Sequence, residues 1–95
     1  MKDKVISPFA SREYHLLLWM FEHQTNTSQG PIVKFSQAEL ATECDTALAT
    51  INKWIATLRT AKCIENPKRG NYRITDIGYQ VISKMNEIEN LVGGK

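Results

Sequence analysis

Lys68, Arg69 and Arg73 crowd around Gly70 and Asn71, which places three cations on one short, turn-rich stretch. Ammonium and guanidinium groups on a protruding turn can pair with phosphate oxygens along a nucleic-acid backbone or in a minor groove; the bland alternative is a solvated basic turn. A second group, His15, His23, Cys44 and Cys63, contains the ligand types that zinc prefers. The paired Cys or His spacing of a zinc site is missing, and both cysteines sit at apolar-patterned positions, so no metal is expected. Nor does the chain assemble a nucleophile with a neighbouring base, a phosphate-cradling glycine loop or paired acids in a pocket. The expectation is a protein that is not an enzyme and carries no cofactor.

These groups need elements to hold them. Ser7 followed by Pro8 is an N-cap with proline at the first helical position, where its missing N–H costs nothing, and predicts a helix over 8–23. Tyr14, Leu17, Leu18 and Phe21 form its i, i+3, i+4, i+7 stripe, and Leu16, Trp19 and Met20 form a second apolar face. Residues 24–31 are polar and end in Gly30-Pro31, predicting a loop, and the β-branched stretch 32–35 predicts a brief strand. Ser36 with Glu39 is a capping-box pattern that opens a helix over 37–44, with Leu40, Ala41 and Cys44 inward. Asp45 and Thr46 turn the chain, and Ile51, Ile55 and Leu58 space a third helix through 61, flanked by Trp54. Strands over 63–66 and 72–75, joined by 67–71, predict a β-hairpin with the cations at its tip. Thr75 or Asp76 can cap a last helix that carries Ile77, Val81, Ile82, Met85, Ile88 and Val92 and ends at Gly93-Gly94.

That order of elements, with the stretch 36–64 (SQAELATECDTALATINKWIATLRTAKCI), resembles the winged helix-turn-helix domain of bacterial, phage and plasmid regulators. Ala41 is small where two helices must cross, Cys44 fills the apolar place before the turn, and Ile51 and Leu58 pin the third helix on the second. Asp45 stands where such proteins most often have a left-handed glycine, and Ala47, Leu48 and Ala49 stand where they usually place Ser, Arg or other hydrogen-bonding groups. Residues 72–78 (YRITDIG) resemble the strand, Thr, two residues, Gly pattern that leads into the last helix of MarR- and PadR-type regulators; small plasmid replication proteins are also similar.

The resemblance implies a mainly α fold class with a small β wing, as one winged-helix domain over 1–95: helix-turn-helix 36–62, wing 63–75, C-terminal helix 76–92. It further implies a sequence-specific, prokaryotic transcription regulator with double-stranded DNA as its partner. The third helix would enter the major groove with Thr46, Leu48, Ala49, Thr50, Asn52 and Lys53 on its open side. Asn bonds adenine N6 and N7, Thr bonds phosphate or base edges, and Ala or Leu touches thymine methyls. Lys68, Arg69, Asn71 and Arg73 would lie on the backbone. One alternative is a plasmid or phage replication initiation or control protein. Another is a winged helix used as a protein-interaction module without DNA, favoured by the weak net charge and the apolar 47–49 stretch.

Twelve Lys and Arg against ten Asp and Glu give a formal charge of +2, which permits a nucleic-acid partner without demanding one. Ninety-five residues leave room for one small core, and 42% hydrophobic with 23% charged residues describes an ordinary globular chain. The longest apolar run, Leu16 to Phe21, is far short of the roughly 18 residues of a membrane span, and a signal-peptide layout is missing. With two thiols at core positions, a reducing cytoplasm is the expected setting, and no small-molecule effector is evident. Val81, Met85, Ile88 and Val92 step by near-heptad spacing. With Leu16, Trp19 and Met20 they would form a homodimer interface, unless both stripes pack inside one subunit.

Overall fold

The computed structural model describes residues 11–92. Helix α1 (Arg12–Glu22) opens at Ser11, whose hydroxyl accepts the Tyr14 N–H at 3.0 Å. The proposed Ser7-Pro8 start lies outside the described residues, as does the Gly93-Gly94 stop. The apolar face of α1 is rotated from the expected stripe: Tyr14, Leu16, Leu17 and Met20 are buried, Leu18 is half-buried, and Phe21 is 40% exposed. The reason is that α1 packs against α3 (Leu48–Thr60), α4 (Asp76–Val92) and β4 (Asn71–Ile74), so it has apolar neighbours on more than one side.

This corrects the expected dimer surface. Leu16 and Met20 are core residues of their own subunit, at 3% and 0% exposure, and are not available to a partner. Trp19 is half-buried, stacked on His23 with ring centroids 3.9 Å apart and edge-on to Phe35 at 5.1 Å.

Residues 24–31, expected as a loop, contain an antiparallel hairpin of β1 (Thr25–Thr27) and β2 (Gly30–Ile32). Its turn is fixed by the Thr27 hydroxyl, which donates to the Gly30 carbonyl at 2.8 Å and accepts the Gln29 N–H at 3.1 Å. With strands of only three residues, Thr-Asn-Thr and Gly-Pro-Ile, no apolar alternation announces it. The strand expected over 32–35 therefore starts earlier and ends at Ile32. Val33 follows as a single bridge to Tyr72, each N–H donating to the other's carbonyl at 2.8 and 2.9 Å.

Helix α2 (Gln37–Glu43) begins at the expected capping box, with Glu39 N–H to the Ser36 hydroxyl at 3.1 Å and Ser36 N–H to the Glu39 carboxylate at 2.8 Å. Asp45 then takes φ 52°, the left-handed conformation, and Thr46 N–H closes the turn on the Ala41 carbonyl at 2.9 Å. Ile51, Ile55 and Leu58 are buried on α3, against a core that includes Leu17, Leu40, Ile64 and Ile74.

Strand β3 (Ile64–Lys68) pairs antiparallel with β4, turning at Gly70 with φ 77°. Thr75 leads into α4: its hydroxyl accepts the Gly78 N–H at 3.1 Å and donates to the Lys62 carbonyl at 2.5 Å. Cys63 is buried and Cys44 half-buried, both as free thiols, and burial pushes both up from the ordinary thiol pKa, with Glu43 adding to the rise at Cys44. Each thiol stays protonated at neutral pH and reacts slowly.

Candidate nucleic-acid interface

The buried side of α3 settles which residues it can present. With Ile51, Ile55 and Leu58 inward, Leu48, Ala49, Asn52 and Lys53 are exposed, and Ala56, Thr57 and Thr60 continue the open side. Leu48 is 48% exposed, a large apolar residue at the mouth of the helix. Thr50 and Thr46 are half-buried. The Thr46 hydroxyl donates to the Cys44 carbonyl at 2.9 Å, so its first role is to fix the turn, and its oxygen is left to accept. Ala47 occupies the N-cap without a side-chain cap bond, which leaves the first-turn N–H groups of α3 uncapped by it.

On the hairpin, Lys68 and Arg69 are exposed, and Asn71 and Arg73 are half-buried. The three cations of the tip are not equivalent. Arg73 lies across the hairpin from Glu65 and pairs with its carboxylate at 3.2 Å, so part of its charge is met by a neighbour within the chain. Among the described residues, Lys68 and Arg69 have no ion-pair partner.

Lys68, Arg69 and Gly70 line an open cleft of about 580 Å³ with Ser36, Gln37, Tyr72, Arg59 and Asn66. Sequence reasoning missed the last two. Arg59 Nη1 donates to the Asn66 carboxamide oxygen, joining the end of α3 to β3. A signal existed: Asn52, Ala56 and Arg59 follow i, i+4, i+7 spacing, so Arg59 lies on the same helical stripe as Asn52.

The four metal-type residues are dispersed. His15 and Cys44 line a hollow of about 460 Å³ with Trp19 and Trp54, between α1 and the turn. His23 instead bonds the Trp19 carbonyl through Nδ1 at 2.8 Å, and Cys63 is buried in the core. Among the described residues no three His, Cys, Asp or Glu side chains are grouped to hold a metal. No helix of the described residues is long and apolar enough to cross a membrane.

Two helices joined by a left-handed turn, the second pinned by its apolar side, followed by a basic hairpin and a closing helix, define a winged helix-turn-helix domain. The chain belongs to the Crp-like helix-turn-helix domain family, which it matches over residues 11–79.

The same architecture recurs in solved proteins. The reduced (FeII) CO-sensing protein from R. rubrum superposes with a TM-score of 0.61 at 20% identity, over 70% of this chain and 34% of that one. A CRP-family transcriptional regulator from Thermus thermophilus gives 0.58 at 17%, over 74% and 38%. A CRP/FNR-family transcriptional regulator from the same organism gives 0.59 at 20%, over 80% and 39%. At these identities the likeness is one of fold, and the chain spans little more than a third of the length of each. None of the curated proteins is similar enough in sequence to count as a match. The segment 72–78, expected to follow the MarR- and PadR-type pattern, falls instead inside the Crp-like match.

Proposed function

We propose that the chain is a cytoplasmic, sequence-specific regulator of transcription that binds double-stranded DNA with α3 in the major groove and the β3–β4 wing on the backbone. The observation that carries this reading is the fixed orientation of α3 in a Crp-like domain. Its buried Ile51, Ile55 and Leu58 force Asn52 and Lys53 outward, beside a wing whose Lys68 and Arg69 have no internal partner among the described residues. Asn52 reads a base edge and Lys53 contacts phosphate; Leu48 and Ala49 suit thymine methyls, and Thr46 and Thr50 flank them at the groove edge. Asn71 and Arg73 support the wing more than they contact DNA. Between transcription and replication control, the two Thermus proteins of this fold, both transcriptional regulators, favour the first.

The test is selection of bound sequences from a random duplex pool, followed by mobility shifts over a range of salt. Asn52→Ala is expected to cost roughly 1–3 kcal/mol on the selected site and much less on random duplex. Equal losses on both would remove Asn52 from base readout. The exposed Leu48 beside Ala47 and Ala49 favours a second reading, a protein-interaction module. That module predicts no salt-dependent shift at all.

We infer further that two copies pair through α4. This helix runs on to Val92, past residue 79 where the family match ends, and carries Val81, Met85 and Ile88 half-buried. Leu91 is 81% exposed and Ile77 46%, with Phe21 at the edge of the same layer, ring to ring with Tyr79 at 6.0 Å. Val92 continues the spacing in the sequence, and of Leu16, Trp19 and Met20 only Trp19 is not fully buried. Pairing along α4 would set two recognition helices for a two-fold site. Sedimentation is expected to give about twice 10.8 kDa for the native chain and a folded species of single mass for Met85→Glu and Leu91→Glu. A monomeric native chain would end the dimer reading.

A further inference from the structure

Asn66 sits where the wing is joined to the recognition helix. Glu65 stands opposite Arg73 and Lys68 opposite Asn71, so Asn66 and Pro67 share the single place facing Tyr72, a β-bulge. Tyr72 turns its own N–H and carbonyl to Val33 on the other edge, and Pro67 has no N–H to strand. A bulge re-aims a side chain, and here the Asn66 carboxamide lies between two elements. Its oxygen accepts from Arg59 Nη1 on the last turn of α3, and its Nδ2 donates to the Asn71 carbonyl of β4 at 2.9 Å. A carboxamide carries its acceptor and its donors on separate atoms, so it can hold both partners at once. A continuous hydrogen-bonded path therefore runs from α3 through β3 to β4, directly behind Lys68 and Arg69.

From Glu65 to Arg69 the wing is exposed, with no core beneath its tip. Left to itself, such a tip swings, and two contact points on one DNA reinforce each other only when the distance between them is held. We propose that Asn66 is a positioning residue: the Arg59–Asn66–Asn71 relay clamps the wing to α3, so that Lys68 and Arg69 meet backbone phosphates while α3 lies in the groove. This rests on the DNA-binding reading above. Because the relay is at the surface, it matters to binding rather than to folding.

The experiment measures Kd against salt on random duplex for the native chain, Asn66→Ala, the Lys68→Ala/Arg69→Ala pair and all three together, with thermal melts alongside. Asn66→Ala is expected to weaken binding roughly three- to tenfold, to flatten the log–log salt slope by about one, and to keep the native melting point. Added to the Lys68→Ala/Arg69→Ala pair it should cost nothing more, because it acts through those two cations. A native chain that binds no duplex overturns the DNA reading and the relay with it. A native chain that binds, while Asn66→Ala keeps the full slope or adds its whole loss to the pair's, overturns the relay alone; so does a large drop in melting point, which would make Asn66 structural.

Discussion

Replacing Lys53, Lys68 and Arg69 together by alanine is expected to weaken binding to every duplex alike, by roughly 100-fold at moderate ionic strength, and to flatten the salt slope by about 2 to 3. Each cation that neutralises a phosphate releases condensed counterions, and the slope counts those contacts at about 0.9 each. The choice of the three residues follows from the ion pairing. Spacing alone groups Arg73 with Lys68 and Arg69, but its guanidinium is 3.2 Å from Glu65 and loses part of its Coulomb reach there. Lys53 is exposed on α3 and without an ion-pair partner among the described residues, so it takes the third place. Arg73→Ala alone should lower the slope by well under one. Filter binding or fluorescence anisotropy on a random duplex from low to moderate salt measures both. A triple variant with the native slope would remove the wing and Lys53 from the backbone contact.

How legible the molecule was in its sequence depends on how local each determinant is. Ser36 and Glu39 satisfy each other within one turn, and the capping box stands where the pattern placed it. Asp45 in the left-handed conformation follows from the tight turn between two apolar stripes, and the turn forms with aspartate where glycine is usual. Boundaries of α2, α3 and the wing fall within a residue or two of those expected. What failed is what depends on partners far along the chain. The surplus apolar face of α1 is matched inside the subunit by α3, α4 and β4 rather than by a second copy, and no window around Leu16 or Met20 contains those neighbours. The β1–β2 hairpin is held by backbone pairing and the Thr27 hydroxyl, which leave no trace in hydrophobic period. Within the candidate site, the open side of α3 was legible from its buried stripe. The Arg59–Asn66 contact was not, since it joins residues on different elements through a bulge that spacing does not announce.

Gly78 carries the second large effect, in a direction opposite to ordinary helix propensity. Glycine inside a helix is about 1 kcal/mol worse than alanine, so Gly78→Ala in α4 would ordinarily stabilise. Here a Cβ at position 78 would lie 2.4 Å from the Cys63 carbonyl oxygen and 2.6 Å from Ile74 Cγ2. The first of these is backbone. It cannot swing aside, because the same carbonyl accepts the Thr75 N–H at 2.9 Å, and Thr75 in turn bonds Gly78 N–H and the Lys62 carbonyl. Alanine must therefore push the first turn of α4 away from the base of the wing, breaking the Thr75 contacts or straining β4. The expected loss is about 2–3 kcal/mol, which for a domain of this size lowers the melting temperature by roughly 10–20 °C. Gly70→Ala is the contrast: φ is 77° there but nothing lies within 4 Å, so only the conformational cost of about 1–2 kcal/mol applies. Thermal melts followed by circular dichroism separate the two, and an unchanged or raised midpoint for Gly78→Ala would show that α4 does not press on the Cys63 carbonyl. Since that contact sets the base of the hairpin against the end of α3, Gly78→Ala at a temperature where it remains folded should also weaken DNA binding through the wing.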